Sequence, residues 1–264
     1  MQARKTFLWV GNALFNCVLL ALLLGAGAYS AFALWDNQRI YAAAGDVQSG
    51  MIKLKPEITL DADDGPDFSD LLKINPDVCA WLTMDGTAID LPVLQGDTNF
   101  TYINTDVYGN FALAGSLFLD SRSSRDFTDP YSLIYGHHMA DHKMFGDLDL
   151  YKDEAFFAEN RTGLLILPGS AYQLEVLSCL LVGASEEHIF DPTRWQDHNI
   201  SALMSFIKQN ALHLNEDLMN RLSSGEMPRL LCLSTCSSEF TDARTIVLTV
   251  MKPYQSEELG GQSE

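Results

Sequence analysis

Apolar residues in this chain form one long run near the N-terminus and then recur as short runs between polar and turn residues. The long run covers residues 7–35, contains no charged side chain, and exceeds the roughly 20 apolar residues that span a bilayer as a helix. It is also longer than the apolar part of a signal peptide, usually about 7–15 residues. The pattern therefore predicts an uncleaved membrane-spanning signal anchor. The small-x-small sequence Ala31-Phe-Ala33 leaves a cleaved signal peptide as the alternative.

Eight short apolar runs follow, and several of them are bounded by turn residues. Asp85-Gly86 lies between the first two runs and predicts a β-hairpin there. Because little helical pattern separates most of the runs, they predict a mainly β fold, a closed eight-stranded β-barrel rather than a sheet of βαβ units. The predicted strands are 80–84, 88–94, 114–119, 132–135, 164–167, 172–182, 229–234 and 245–251.

Helical spacing occurs in three segments outside the predicted strands. Residues 68–75 have this spacing and end at Pro76, as the restricted backbone of a pre-proline residue predicts. Residues 143–160 form a helical excursion, and residues 191–222 predict a helical insertion before the last two strands. Long insertions between barrel strands commonly carry substrate contacts.

These patterns divide the chain into an anchor, a folded domain and the segments that flank them. Residues 36–67 are polar, contain the break Gly65-Pro66, and predict a juxtamembrane helix followed by a linker. The predicted order is a cytoplasmic N-terminus (1–6), a transmembrane signal anchor (7–35), the juxtamembrane helix and linker (36–67), a folded domain (68–254) and a loose tail (255–264).

Charge also separates the anchor from the folded domain. The first 35 residues contain two basic side chains, Arg4 and Lys5, and no acidic one. The formal net charge of -18 for the whole chain therefore becomes -20 beyond residue 35, from 15 basic and 35 acidic residues. Phosphate backbones would repel such a surface, so nucleic-acid binding is disfavoured. The two positive charges before the span place the N-terminus in the cytoplasm and the folded domain outside the cell.

The five cysteines do not form a disulfide framework. Cys17 lies in the predicted span, and Cys79, Cys179, Cys232 and Cys236 lack the dense, regular spacing of a disulfide scaffold. An exported domain with unpaired thiols belongs to an organism that avoids disulfides, or it keeps one thiol for chemistry.

The C-terminal part of the domain supplies a candidate nucleophile and a candidate cation. An apolar run ends at Cys236, a seven-residue polar loop follows, and a β-branched run begins at Arg244. As a hairpin, this sequence brings Cys236 and Arg244 together at one end of the barrel. A guanidinium stabilises a thiolate and donates hydrogen bonds to an oxyanion. The alternative makes Cys236 a small core residue and Arg244 a solvated charge.

A candidate acid and base comes from a second strand end. A β-rich run ends in Gly136 and is followed by His137 and His138. Because neighbours in an extended chain face opposite ways, one of the two histidines can enter a given pocket. A histidine near Cys236 would serve as acid and base for nucleophilic catalysis by sulfur.

At this point several motifs together resemble the sortases, and class B sortases in particular. The catalytic signatures are Tyr135-Gly-His-His-Met139 with Met144-Phe145 and Leu148, and Leu233-Ser-Thr-Cys236 with Arg244. Upstream, the order and spacing of three further motifs resemble class B: the segment 81–96, Asn99-Phe-Thr-Tyr102 and Gly115-Ser-Leu-Phe-Leu-Asp120. The resemblance covers residues 68–252, nearly the whole predicted domain.

The resemblance implies a role for particular residues. It makes His137 rather than His138 the catalytic histidine, Cys236 the nucleophile and Arg244 the arginine that stabilises the transition state. Four further residues match positions that line the substrate groove in the family: Asn99, Ile103, Ser234 and Thr235. Cys232 lies one strand repeat inward from Cys236 and is predicted to be a core residue.

The resemblance also implies an activity. A class B sortase is a membrane-anchored cysteine transpeptidase, of the EC 3.4.22 type, that needs no metal or organic cofactor. It cleaves a C-terminal sorting motif of exported proteins after its Thr, often Asn-Pro-x-Thr, and transfers the acyl group to an amine of a peptidoglycan cross-bridge. Some members instead join pilins through a lysine. A secreted cysteine peptidase that only hydrolyses, and a membrane-tethered binding module with a degenerate site, are the alternatives.

Two segments of the sequence contain residue types that bind metal ions. His137, His138 and His142 are close in sequence, and the last two have the i,i+4 spacing of zinc ligands on a helix, but no HExxH motif or nearby cysteine pair accompanies them. The acidic run 61–64 lacks the glycine and the terminal glutamate of an EF-hand. We therefore predict no metal site.

Overall fold

The computed structural model describes residues 2–58, 65–197, 199–223, 228–235 and 243–254. The chain divides into two compact units, Met1–Ala43 and Ala44–Glu264. The first unit is helical. Its described residues are part of helix α1, Gln2–Met51.

The apolar part of α1 exposes its large side chains, among them Phe7, Trp9 and Leu22. By length and composition the helical segment Phe7–Leu54 is long and apolar enough to cross a membrane. A short 3₁₀ helix, Ile52–Leu54, ends it. Met51 is buried and packs with the core of the second unit, to which it belongs.

The second unit is built around β-strands, and each of the eight predicted strands is present. Two further short strands form a separate hairpin, and one lies in the predicted helical insertion. The strands are β1 Val78–Met84, β2 Asp90–Leu94, β3 Leu117–Leu119, β4 Tyr131–Gly136, β5 His138–Met139, β6 Lys143–Met144, β7 Thr162–Leu167, β8 Ser170–Gly183, β9 Ala211–Leu214, β10 Arg229–Thr235 and β11 Ala243–Pro253.

Eight of these strands close into a barrel. Within the described residues the sheet order is β11-β10-β4-β3-β2-β1-β7-β8-β9, and β11 also pairs with β8. That second pairing joins the two ends of the eight-stranded part, while β9 lies outside the ring on β8. The pairs β10–β4 and β2–β3 are parallel and the other ring pairs are antiparallel, so the barrel is mixed. The predicted closed eight-stranded barrel is confirmed.

The hairpin between β1 and β2 is also confirmed. The two strands are antiparallel, with Thr83 opposite Asp90. Gly86 has a φ of 74°, a left-handed conformation that glycine adopts without steric cost. A Cβ atom at this position would also collide with the side chain of Asn160.

Helices occur in the three predicted segments, with two corrections. The structure contains α2 Ser69–Ile74, a 3₁₀ helix Gly146–Lys152, α3 Glu154–Glu159, α4 Glu187–Phe190, a 3₁₀ helix Pro192–Trp195, α5 Ser201–Asn210 and α6 Glu216–Ser223. The predicted excursion 143–160 begins in the β5–β6 hairpin, and the predicted insertion 191–222 contains β9. The strands β6 and β9, which fall in these two segments, are too short to show a pattern of their own. Their pairing with β5 and β8 decides their conformation.

The helical insertion packs over the strands that carry the candidate site. Trp195, Leu203 and Ile207 share a buried cluster with strand residues such as Leu230 and Ile246. Each fully buried apolar side chain of this size contributes roughly 1.5–3 kcal/mol to folding. Burial in this cluster therefore holds the insertion against the barrel. A second cluster forms around Trp81 and Phe118 in the barrel.

Candidate active site

The parallel pairing of β4 and β10 defines one edge of the barrel. The register runs from Leu230 opposite Tyr131 to Thr235 opposite Gly136, so both strands end together. His137 follows Gly136 directly. The predicted nucleophile Cys236 is the next residue after Thr235 in the sequence, and it lies outside the described residues, as does the loop up to residue 242.

His137 is half-buried and makes one strong polar contact. Its Nε2 atom lies 2.7 Å from the backbone carbonyl oxygen of Ile103. Because a carbonyl oxygen accepts hydrogen bonds and cannot donate them, Nε2 is the donor in this contact. The structure thus brings together two residues that the sequence analysis selected separately, the candidate histidine and a candidate groove residue.

Asn99 lies in the turn region that contains Ile103. Both the nitrogen and the oxygen of its side-chain amide make hydrogen bonds. The Nδ2 atom donates to Oδ2 of Asp120 at 2.9 Å, and Oδ1 accepts from the backbone N–H of Ser121 at 2.7 Å. The side chain of Asn99 is therefore fixed in one orientation by the end of β3.

Asp120 is the centre of this network and was missed by the sequence analysis. It is fully buried, and besides Asn99 it accepts hydrogen bonds from the Tyr135 hydroxyl at 3.1 Å and from Arg122 through Nε at 2.9 Å and Nη2 at 2.8 Å. Burial raises the pKa of Asp120, but the hydrogen bonds from Arg122 and Asn99 outweigh it, so the pKa lies below its usual range. Asp120 therefore stays ionised in the barrel wall.

Arg122 extends the network to the helical insertion. Its Nη2 atom donates to the carbonyl oxygen of Phe190 at 2.7 Å, and Nη1 lies 3.4 Å from Oδ1 of Asp191. The ring of Tyr135 stacks between Phe118, at 5.2 Å, and Phe190, at 6.4 Å. The signal for this network in the sequence was slight, an Asp-x-Arg pair at the end of a strand.

Arg244 stands at the start of β11, opposite Val182 of β8. Its side chain is half-buried, and the Nη1 atom is buried without a hydrogen-bond partner in the part of the chain that the structure describes. An unsatisfied buried donor of this kind is costly.

The remaining candidate groove residues, Ser234 and Thr235, are the last two residues of β10. Both are buried. The Ser234 hydroxyl donates to the carbonyl oxygen of Thr235 at 3.3 Å. The structure places them at the same strand end as His137, whereas Asn99 and Ile103 approach from the turn before β3.

Three other thiols are unsuited to nucleophilic chemistry. Cys79, Cys179 and Cys232 are buried, which confirms the core position predicted for Cys232. Burial raises the pKa of each of these thiols to about 12. They are therefore protonated at neutral pH.

The histidines beside His137 contact carboxylates. The Nε2 atom of His138 lies 3.0 Å from Asp149, and Nδ1 of His142 lies 2.7 Å from Asp147. Within the described residues no group of three or more histidine, cysteine or acidic side chains is arranged to hold a metal ion. The acidic run 61–64 lies outside the described residues.

The fold is that of a sortase. A crystal structure of a Streptococcus pyogenes class B sortase involved in pilus biogenesis has a TM-score of 0.63 and 37% identity, and it covers 70% of this chain and 98% of that one. Sortase B of Bacillus anthracis, at 24% identity, shares the fold with a TM-score of 0.65 over 83% of this chain and 98% of that one.

Sequence comparison agrees. Sortase B of Listeria monocytogenes is 28% identical over 239 residues, which is 89% of this chain and 92% of the relative. Sortase B of Staphylococcus aureus is 28% identical over 187 residues, 71% of this chain and 74% of the relative. The chain matches no protein-family model. The chain belongs to the class B sortases and is a sortase transpeptidase.

Proposed function

We propose that this sortase is membrane-anchored and uses Cys236, His137 and Arg244 to transfer the acyl part of an exported protein to an amine. The observation that carries the proposal is the parallel register of β10 and β4, which ends with Thr235 opposite Gly136. In the sequence Cys236 follows Thr235 and His137 follows Gly136. The register therefore supports a position of the proposed nucleophile near the proposed acid and base.

The first half-reaction forms a thioester. The Cys236 thiolate attacks the backbone carbonyl carbon of the threonine in the sorting motif. Arg244 donates hydrogen bonds to the resulting oxyanion. The orphan Nη1 atom of Arg244 supports this role, because an oxyanion would satisfy it. His137 protonates the leaving amine as the peptide bond breaks.

The second half-reaction reverses the proton transfer. An amine attacks the thioester, His137 takes a proton from it, and the Cys236 thiolate leaves. The contact between Nε2 of His137 and the Ile103 carbonyl supports Nδ1 as the ring nitrogen that exchanges this proton. Asn99, Ile103, Ser234 and Thr235 line the substrate groove in this proposal. No metal or organic cofactor takes part.

The proposed substrates are exported proteins with a C-terminal sorting motif, and the proposed acceptor is an amine of the peptidoglycan cross-bridge. In this arrangement α1 is the membrane anchor, residues 1–6 lie in the cytoplasm and the barrel lies outside the cell. The exposed apolar side chains of α1 and the basic residues Arg4 and Lys5 before them support this topology.

A pilin lysine is the second candidate acceptor. The observation in its favour is the 37% identity to the Streptococcus pyogenes class B sortase involved in pilus biogenesis.

The test uses the full chain in detergent with Asn-Pro-x-Thr peptides. Intact mass should show a thioacyl adduct on Cys236, and added triglycine should convert the adduct to an amide product. Cleavage by Cys236→Ala at the parent rate would contradict the mechanism. Release of free acid alone, with triglycine and a lysine peptide both present, would instead identify a peptidase.

A further inference from the structure

The carboxylate of Asp149 contacts two segments that lie beside the active-site edge. Asp149 belongs to the 3₁₀ helix Gly146–Lys152. Its Oδ1 atom accepts a hydrogen bond from the Thr245 hydroxyl at 2.6 Å, and its Oδ2 atom lies 3.0 Å from Nε2 of His138. The Lys152 ammonium of the same helix lies 2.8 Å from Oδ2.

Both contacts are made to the chain neighbours of proposed catalytic residues. Thr245 follows Arg244 in β11, and His138 follows His137. Consecutive residues of an extended chain project to opposite faces. Contacts to Thr245 and His138 on one face therefore set the position of the backbone from which Arg244 and His137 project on the other.

No strand pairing in the described part of the chain performs this task. In the barrel β4 pairs with β3 and β10, and β11 pairs with β10 and β8, so β10 separates β4 from β11. His137 lies after the end of β4, beyond the last pair of that ladder. Asp149 instead joins the segment after β4 to β11 directly.

We propose that Asp149 is a positioning residue that fixes the distance between the imidazole of His137 and the guanidinium of Arg244. The proposal rests on the proposed function, because it assigns Asp149 a role through those two side chains. Asp149 itself touches neither of them in this role. It acts through the Thr245 hydroxyl and the His138 imidazole.

The state of the carboxylate suits this role. Burial raises the pKa of Asp149, but hydrogen bonds from Lys152 and Thr245 outweigh it and lower the pKa below its usual range. An ionised carboxylate accepts hydrogen bonds at both oxygens. Thr245 is buried, so its hydroxyl has little competition from water.

The experiment compares four single variants of the full chain in detergent, each assayed below its unfolding temperature. Asp149→Asn removes the charge, Thr245→Val removes the hydroxyl, and Thr245→Ser restores a hydroxyl. Lys152→Gln is the matched control, because it removes the third contact to Asp149 and leaves the two bridging contacts in place.

We expect Asp149→Asn and Thr245→Val each to lower kcat for amide formation by about 10–100-fold, because small misplacements of catalytic groups have effects of this size. KM should change little. Thr245→Ser and Lys152→Gln should stay near the parent. The double variant Asp149→Asn/Thr245→Val should lose less than the product of the single losses, since both changes break one contact.

A second measurement does not depend on turnover. Phenylglyoxal modifies Arg244 and diethyl pyrocarbonate modifies His137, and peptide mass spectrometry gives each rate. Both rates should change in Asp149→Asn and stay at the parent value in Lys152→Gln. Parent-like kcat and parent-like labelling in Asp149→Asn and Thr245→Val would overturn the proposal. If the parent itself forms no amide, the proposed function fails, and the labelling rates still decide the role of Asp149.

Discussion

The backbone carbonyl oxygen of Ile103 lies 2.7 Å from Nε2 of His137, so a turn outside the barrel ladder holds the candidate catalytic imidazole. That turn is itself held in place by Gly115, whose φ is 58°. A Cβ atom on Gly115 would lie 2.3 Å from the Ile103 oxygen and 2.6 Å from the Tyr102 oxygen. The orientation of His137 therefore depends on the absence of a Cβ atom at position 115.

Gly115→Ala should displace the Ile103 carbonyl and release His137. We expect a free-energy loss of about 2–3 kcal/mol, from the left-handed backbone and the collision together, and at least a tenfold drop in kcat measured on folded protein. Gly109→Ala is the matched control, because Gly109 also has a positive φ, 81°, but open space around the added Cβ. It should lose about 1 kcal/mol and keep its kcat. Equal kcat losses in the two variants would contradict this explanation.

Arg244→Lys should slow the chemical step rather than weaken substrate binding. A lysine keeps the positive charge but loses the forked donors of the guanidinium, and removal of one oxyanion donor costs about 10²–10³ in kcat. Steady-state kinetics with a sorting-motif peptide measures the effect. The control is Arg161→Lys, since Nε of Arg161 is also buried without a hydrogen-bond partner among the described residues, and its guanidinium lies over the ring of Phe157 in α3. A rise in KM alone in Arg244→Lys would assign Arg244 to binding.

Asp120→Asn should destabilise the barrel, because it leaves Arg122 opposite an amide. Because the Arg122 side chain is 42% exposed, its charge stays solvated, and the expected cost is that of the hydrogen bonds lost by one buried charged group, about 1–3 kcal/mol. The pKa of Asp120 is lowered in the folded state, so its contribution is complete above the unfolded pKa of about 3.9 and disappears as the pH falls through the folded pKa. Urea unfolding should therefore show a large difference between parent and variant at pH 7 that shrinks below about pH 4.

Asp126→Asn serves as the comparison for Asp120→Asn. Asp126 is exposed and accepts hydrogen bonds only locally, from Thr128. Its substitution should change the free energy of unfolding by no more than about 0.5 kcal/mol at any of these pH values. A difference for Asp120→Asn that stays constant down to pH 3 would show that its ionisation does not stabilise the fold.

The buried thiols should resist alkylation in the folded protein. With Cys17→Ser and Cys236→Ser combined, the remaining cysteines are Cys79, Cys179 and Cys232, whose pKa values burial raises to about 12. Iodoacetamide at pH 8 should add no mass to the native double variant. After unfolding in urea, all three thiols should react. Rapid native labelling would show that these positions open to solvent.

The strands and the candidate residues at the strand ends follow from local sequence. Runs such as Thr162–Leu167 are apolar, short and bounded by turns, and that local pattern was sufficient to predict each barrel strand. The ends of such runs selected Cys236, Arg244 and the pair His137–His138, and the resemblance to the sortases then selected His137 from the pair. The strand β9 was missed, because four residues carry too little pattern and its pairing with β8 decides its conformation.

The carboxylates that hold the site were not predictable in the same way. Asp120 contacts Asn99, which is 21 residues away in sequence, and Asp149 contacts Thr245, which is 96 residues away. Acidic residues are common throughout this chain, and nothing local distinguishes a buried, hydrogen-bonded carboxylate from a solvated one. Only the folded barrel selects these two.

The barrel is completed by two strands that come late in the sequence, β10 and β11. β10 inserts between β4 and β11, and β11 closes the ring on β8, so the last strands of the chain complete both the barrel and its active-site edge. A nascent chain that lacks these strands exposes the unpaired edges of β4 and β8 and lacks the proposed nucleophile, Cys236. Because such long-range pairings form slowly, we expect the barrel to close after β10 and β11 have been synthesised. Closure of the barrel and completion of the proposed active-site edge are therefore one event.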